Sequence, residues 1–106
     1  MVENPLKITE SEHGQVITCP DYFDISVVSD ARESFQRVVD GNPACITLDT
    51  DHTEMVDTAA MQLLVAFVKD AKNNGISVSY QGENDCVCRA AQALGLVEDL
   101  GLDCSQ

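Results

Sequence analysis

Aromatic residues are scarce in this sequence, and tryptophan is absent. Among 106 residues there are three phenylalanines and two tyrosines, whereas 44% of the residues are hydrophobic. That hydrophobic share is ordinary for a globular protein, so a core can form, but it must be built from Val, Leu, Ile and Ala. The length suits one compact domain over residues 1–106 and is too short for two.

Basic residues are also few. Six Lys and Arg residues face 18 Asp and Glu residues, which gives a net charge of −12 at pH 7. Binding of nucleic acid or of an anionic membrane surface depends on Lys and Arg, so we expect neither partner. A strongly acidic surface favours solubility and a protein partner that is basic or of mixed charge.

The sequence lacks a recognisable export or membrane segment. Its first stretch, "MVENPLKITESEHG", has no basic start followed by an apolar core. The longest nearly apolar run covers residues 59–68, is interrupted by Gln62, and falls far short of the ~20 residues that cross a bilayer. We therefore expect a cytoplasmic protein with no direct membrane insertion.

Cysteine spacing gives no zinc motif. Of five cysteines, Cys86 and Cys88 form C-x-C, and no second Cys or His pair has the spacing of a zinc site. Because no export is expected, all five are predicted to be reduced structural thiols.

Catalytic motifs are equally sparse. The only histidines are His13 and His52, and there is neither a nucleophile elbow nor a glycine-rich phosphate loop. Asp49, Asp51 and Thr53 have the spacing of a calcium loop. That loop requires glycine and glutamate at its sixth and twelfth positions, which hold other residues here. We expect no metal, no cofactor and no enzyme.

One remote enzymatic alternative stays open. The segment from Asp49 to Thr53 also resembles the Asp-x-Asp-x-Thr motif of haloacid-dehalogenase-type phosphatases, in which Asp49 would be the nucleophile and Asp51 the general acid/base, with magnesium assisting. Those enzymes need further acidic residues at later strand ends, where this sequence offers only Glu83.

Hydrophobic periodicity predicts an α/β fold. Segments 6–10, 15–19, 44–49 and 76–80 read as strands, the first two joined at a His13-Gly14 turn into a hairpin. Helices are predicted between strands two and three, over Thr58–Asn73, and after residue 84, followed by a short helical turn near the C-terminus. The order β-β-α-β-α-β-α predicts a mixed, mostly parallel sheet of about four strands with an antiparallel edge.

Apolar stripes identify the buried face of each helix. The predicted stripes contain Val28, Ala31, Phe35 and Val39 in the first helix, Ala60, Leu64, Phe67, Val68 and Ala71 in the second, and Val87, Ala90, Ala91 and Leu94 in the third. Ser26 or Ser29 is the expected cap of the first helix, and Asn84 that of the third.

The junction "MVDTAAMQLL" between a strand and the long second helix permits two interpretations. Asp57 is a good helix N-cap, and Thr58 could simply support that cap. The same residues could instead form a docking or phosphorylation site.

Several motifs together resemble a STAS domain, the module of anti-sigma factor antagonists. Residues 46–64 resemble the family's apolar strand, short loop and Asp-Ser/Thr-Ser/Thr-Gly junction. "FDISVVSDAR" resembles a family segment that begins with Leu-Asp, carries Thr three residues after the Asp and ends in Arg. Asp24 and Arg32 fall on the Asp and the Arg, and Val27 falls where Thr is common. "AAQALGL" resembles the last family helix, so the resemblance covers nearly the whole chain.

The resemblance implies a binding module that docks on a protein partner around the Asp57–Thr58 junction, with phosphorylation there releasing the partner. Candidate contact residues are Asp24, Asp57, Thr58, Ala59, Met61 and Gln62. Met61 and Val65 lie off the core stripe, so they either touch the partner or pack under the C-terminal tail.

This sequence departs from the family at the phosphorylation position. Aligning Asp57 with the family Asp puts Thr58 on the first hydroxyl position, Ala59 on the usual phosphoacceptor and Ala60 on the glycine. The resemblance therefore leaves Thr58 as the candidate phosphoacceptor, or else implies an unregulated docking subunit.

Two partner systems fit the resemblance. One is signalling, in which the partner is a serine- or histidine-kinase-like anti-sigma factor or a chemosensory protein. The other is the STAS subunit of a bacterial phospholipid-transport ABC complex, in which the partner is the ATPase and no phosphoserine is needed.

Overall fold

A computed structural model describes residues 6–12, 14–82 and 84–104. Its elements are β1 (Lys7–Ser11), β2 (Gly14–Thr18), β3 (Tyr22–Phe23), α1 (Ile25–Asp40), β4 (Cys45–Asp49), β5 (Met55–Val56), α2 (Thr58–Asn73), β6 (Ser77–Gln81), α3 (Asp85–Leu94) and α4 (Val97–Leu100). The predicted order is confirmed, including the last short helix. Two further short strands, β3 and β5, were not among the predicted strands. His13, half of the predicted hairpin turn, and Glu83 lie outside the described residues.

Four strands form one mixed sheet in the order β1-β2-β4-β6. β1 pairs antiparallel with β2, and β2, β4 and β6 run parallel. Ile17 is in register with Leu48 and Leu48 with Tyr80, so one face carries a continuous apolar row. The α/β fold with an antiparallel edge is thereby confirmed.

Helix α2 is the central helix, contacting α1, α3, α4 and β6. Its five predicted core residues are all buried, because apolar residues at helical spacing share one face. Helix α1 buries Phe35 opposite Phe67 of α2, and the two rings stack with centroids 4.2 Å apart. Two of the five aromatic residues thus pack against each other where the two long helices meet.

Two helix caps and one core assignment differ from the sequence-based expectation. Asp24, not Ser26 or Ser29, is the N-cap of α1, because its carboxylate reaches the Ser26 amide. Asn84 occupies the N-cap position of α3, but its side-chain oxygen accepts from the Thr50 hydroxyl instead of capping the helix. Leu94 is 42% exposed, since it is the last residue of α3.

The expectation of five reduced thiols is wrong for two cysteines. Cys88 on α3 and Cys104 near the C-terminus form a disulfide with a Cα–Cα separation of 5.7 Å. The physical reason is tertiary. Leu100 and Leu102 are buried, and the Tyr80 hydroxyl donates to the Leu100 carbonyl, so the C-terminal segment is brought back against the domain. No helix in the described ranges is long and apolar enough to cross a membrane.

The disulfide predicts a defined pattern of thiol reactivity. Protein purified without reductant and then denatured should alkylate at Cys19, Cys45 and Cys86 only. In the native state Cys19 should be protected, because burial and the nearby charge of Asp49 raise its pKa to about 12, and the unreactive thiol form persists at pH 8. Peptide mass spectrometry after iodoacetamide treatment measures both.

Two variants control this measurement. Cys88→Ser should expose one additional reactive thiol, that of Cys104, in denatured and unreduced protein. Alkylation of both Cys88 and Cys104 in the unreduced wild type would contradict the disulfide, whereas Cys45→Ser should only remove its own signal.

Candidate functional site: the paired helix starts

The chain segments that lead into α1 and α2 lie side by side. β3 and β5 pair in parallel, with Tyr22 beside Met55 and Phe23 beside Val56. The Asp21 carbonyl accepts from the amide of Glu54 at 2.7 Å. This small sheet aligns the two chain segments just before each helix begins.

Buried threonine hydroxyls shape the loop between β4 and β5. Thr53 is buried and its hydroxyl donates to the Pro20 carbonyl at 3.0 Å, while buried Thr50 donates to Asn84. Buried polar groups are costly unless they are hydrogen-bonded, so these bonds select one conformation of the loop. The loop is therefore held between the segment before α1 and the start of α3.

Asp57 joins the starts of both long helices. One carboxylate oxygen accepts from the Ala60 amide at 2.9 Å, the expected N-cap bond of α2. The other accepts from the Ile25 amide, the first residue of α1, also at 2.9 Å. One negative side chain thus satisfies free N–H groups at two positive helix ends.

Asp24 lies beside this bridge as the N-cap of α1. Its carboxylate accepts from the Ser26 amide at 2.9 Å and from the Ser26 hydroxyl. Two carboxylates, those of Asp24 and Asp57, therefore stand next to one another at the point where the helices start. The proximity of these two predicted site residues follows from the Ile25–Asp57 bond.

The remaining predicted site residues divide by burial. Thr58 is the first residue of α2 and is exposed, and Gln62 is exposed one turn later. Ala59 is half-buried. Met61 is fully buried, so its side chain belongs to the core, and we leave it out of the candidate surface. Val65 is half-buried against the core.

Exposed apolar side chains concentrate around the same point. Within the described residues four large hydrophobic side chains are exposed, and three of them surround the helix starts: Tyr22 (59%), Ile25 (73%) and Met55 (39%). We call Tyr22, Ile25, Met55 and the adjoining Asp24, Asp57 and Thr58 the junction surface. Sequence reasoning missed its apolar members. The sequence could have indicated them, because Tyr22, Ile25 and Met55 are apolar residues within otherwise largely polar segments.

Acidic side chains border the junction surface. Glu54 hydrogen-bonds to the Tyr22 hydroxyl, and this bond, together with the carboxylate charges of Glu54 and Asp21, raises the pKa of Tyr22. Among the residues that the structure describes, no three acidic, His or Cys side chains are arranged to hold a metal ion. The surface combines an apolar centre with a negative border.

Asp49 and Asp51, the residues of the phosphatase alternative, lie in the loop after β4. One oxygen of the Asp49 carboxylate accepts from the Asp51 amide at 3.1 Å and the other from the Gln81 side chain at 3.4 Å. Both bonds organise the loop locally. The phosphatase interpretation stays a prediction, and its test is magnesium-dependent turnover that Asp49→Asn abolishes.

Comparison with known proteins identifies the family. The STAS domain profile matches residues 6–104, so the chain belongs to the STAS domain family. STAS domains are typically non-enzymatic binding modules. A sequence search of curated proteins finds no match.

Solved structures share this fold at low identity. An anti-sigma factor antagonist from Mycobacterium paratuberculosis is 17% identical with a TM-score of 0.76, covering 94% of this chain and 85% of that one. A STAS domain protein from Planctomyces limnophilus is 18% identical with a TM-score of 0.73 and coverages of 88% and 84%. A sulfate transporter family protein from Wolinella succinogenes is 19% identical with a TM-score of 0.71 and coverages of 88% and 75%.

The double cap predicts a ranking of stabilities. Asp57→Ala should lower the free energy of unfolding by about 2 kcal/mol, because it removes a hydrogen bond from two helix ends. Asp24→Ala, which affects one helix end, should cost about 1 kcal/mol. Urea unfolding followed by circular dichroism measures both values.

Asp30→Ala, an exposed substitution on α1 outside these caps, is the matched control and should change stability by less than about 0.5 kcal/mol. If Asp57→Ala were no more costly than Asp30→Ala, the carboxylate would not be joining the helices.

Proposed function

We propose that this STAS-domain protein is a non-enzymatic interaction module that docks on a protein partner through the junction surface. The observation that carries the proposal is the clustering of Tyr22, Ile25 and Met55 around exposed Thr58. Exposed apolar groups gathered at one place, rather than scattered singly, favour an interaction site. Large apolar anchors at the centre of an interface supply most of its binding energy.

The charge of the site favours a partner with a basic border. Asp21, Asp24, Glu54 and Asp57 border the apolar centre, and the chain as a whole carries −12. Complementary charge would speed association and select the orientation of docking. We infer that the partner is a cytoplasmic signalling protein. It would be either a serine- or histidine-kinase-like anti-sigma factor or a chemosensory protein.

Thr58 is the proposed switch residue. Its exposed hydroxyl stands at the first position of α2, where helix N–H groups tolerate a phosphate locally. A phosphate would add a charge of about −1.5 to −2 beside two carboxylates and within an apolar patch. Desolvating that charge in an interface is unfavourable, so phosphorylation would release the partner.

A second candidate function is the STAS subunit of a phospholipid-transport ABC complex, with the ATPase as partner. Ala59 favours it, because that residue carries no hydroxyl at the position where the resembled signalling family is usually phosphorylated. In this case the junction surface is a permanent contact and Thr58 is an interface residue without a switch.

Capture from native lysate tests the docking surface. Wild-type protein should retain a kinase-like anti-sigma or chemosensory protein, identified by mass spectrometry. Ile25→Asp should reduce the retained amount at least about tenfold, since it places a charge in the apolar centre. Leu94→Asp is the matched control, because Leu94 is similarly apolar and exposed but lies at the end of α3.

Equal losses in Ile25→Asp and Leu94→Asp would contradict docking at the junction surface. Capture of an ABC ATPase together with its membrane subunit would instead support the lipid-transport function, with the same dependence on Ile25.

The switch has its own test. Incubation with the captured kinase and ATP should attach one phosphoryl group to Thr58, seen by peptide mass spectrometry, and Thr58→Glu should weaken capture of that kinase. Thr58→Ser should retain phosphorylation and Thr58→Val should lose it while keeping the partner bound. Phosphorylation elsewhere, or unchanged capture by Thr58→Glu, would refute the switch and leave docking intact.

A further inference from the structure

A groove of about 510 Å³ runs between α1 and α2, beside the sheet-facing core. Its volume is within the usual range of small-molecule sites. Both helices line it, α1 with residues that include Ile25, Arg32 and Phe35, and α2 with residues that include Ala59, Leu63 and Phe67. Most of this lining is apolar.

The two helices that form the groove run parallel. Their starts meet at the Ile25–Asp57 bond, and the Phe35 and Phe67 rings stack about three turns later. The groove therefore extends from Ile25 and Ala59 at one end to Gln36 and Asp70 at the other. Eleven residues at 1.5 Å rise give a length of roughly 16 Å.

The floor of the groove is aromatic. Phe35 and Phe67 line it, yet only 2% and 4% of their surfaces reach water. The volume and the mostly apolar lining of the groove suit the alkyl chain of a small amphipathic ligand.

Arg32 provides the single positive charge of the lining. Within the described ranges its guanidinium makes no ion pair or hydrogen bond, although the chain has three times as many acidic as basic residues. Arginine presents a fork of donors that matches a carboxylate. Asp70 at the far end would repel an anion, so an anionic head group is expected at Arg32 itself.

We propose that this groove binds a medium-chain carboxylate, with its head group on Arg32 and its alkyl chain running over Val28 and Leu63 towards Ile25 and Ala59. The seven helical steps from Arg32 to Ile25 span roughly 10 Å. At about 1.3 Å per methylene, this length fits about eight methylenes, as in decanoate. The groove ends at Ile25, which also belongs to the junction surface, so an alkyl chain and a docked protein partner would meet at that residue.

Titration with decanoate below its micelle concentration, followed by ¹H–¹⁵N correlation spectra, tests the site. Amides of Ala59, Leu63 and Ala66 should shift on binding. Across the series from hexanoate to decanoate, affinity should rise about two- to fourfold per methylene and then level off, because each added methylene is buried until the groove is filled.

Two substitutions have matched controls. Arg32→Gln should weaken decanoate binding at least about tenfold, because it removes a charge-assisted pair. Arg37→Gln removes the same charge from the last turn of α1 and should have no effect on binding.

Ala66→Leu narrows the groove and should weaken decanoate binding. Ala93→Leu, at an exposed position of α3, should leave binding unchanged. Spectral dispersion confirms folding of each variant.

Three results would overturn the proposal. If decanol bound as tightly as decanoate, the site would not recognise a carboxylate. The same conclusion would follow if Arg32→Gln weakened decanoate binding no more than Arg37→Gln. Shifts spread outside the groove would indicate non-specific adsorption. A wild-type dimer that Ala66→Leu dissociates, without any decanoate binding, would assign the groove to a second copy of the chain.

Discussion

The carboxylate of Asp57 bridges two helix N-termini, and the exposed surface of this protein is arranged around that bridge. Each helix start presents N–H groups without intrahelical partners and a positive dipole end, so a shared carboxylate stabilises both at once. The bridge also fixes α1 parallel to α2. From that one constraint follow the junction surface at the helix starts and the groove that runs away from it.

The sheet makes this arrangement possible because three of its strands are parallel. In a parallel sheet the carboxyl ends of successive strands meet at one edge, and the connections that follow are brought together there. The segments after β2 and β4 then pair through β3 and β5, which places exposed Tyr22 and Met55 side by side. Apolar side chains that are 30 or more residues apart along the chain, Ile25 and Tyr22 on one side and Met55 on the other, thus form one patch.

Charge and apolar surface serve different ends in this molecule. Acidic side chains border the junction surface, while the guanidinium of Arg32, which makes no ion pair within the described ranges, lines an apolar groove. The buried hydroxyls of Thr50 and Thr53, by contrast, make internal hydrogen bonds that hold one conformation of the loop.

The sequence by itself determined the α/β order, the limits of α2, its buried stripe and the capping role of Asp57, because these depend on local periodicity and on a residue's own helix. Only the tertiary structure decided the rest. It placed the second oxygen of Asp57 on Ile25, buried Met61, gave the α1 cap to Asp24 and joined Cys88 to Cys104. Each depends on which distant segments pack together, and local patterns do not encode that information.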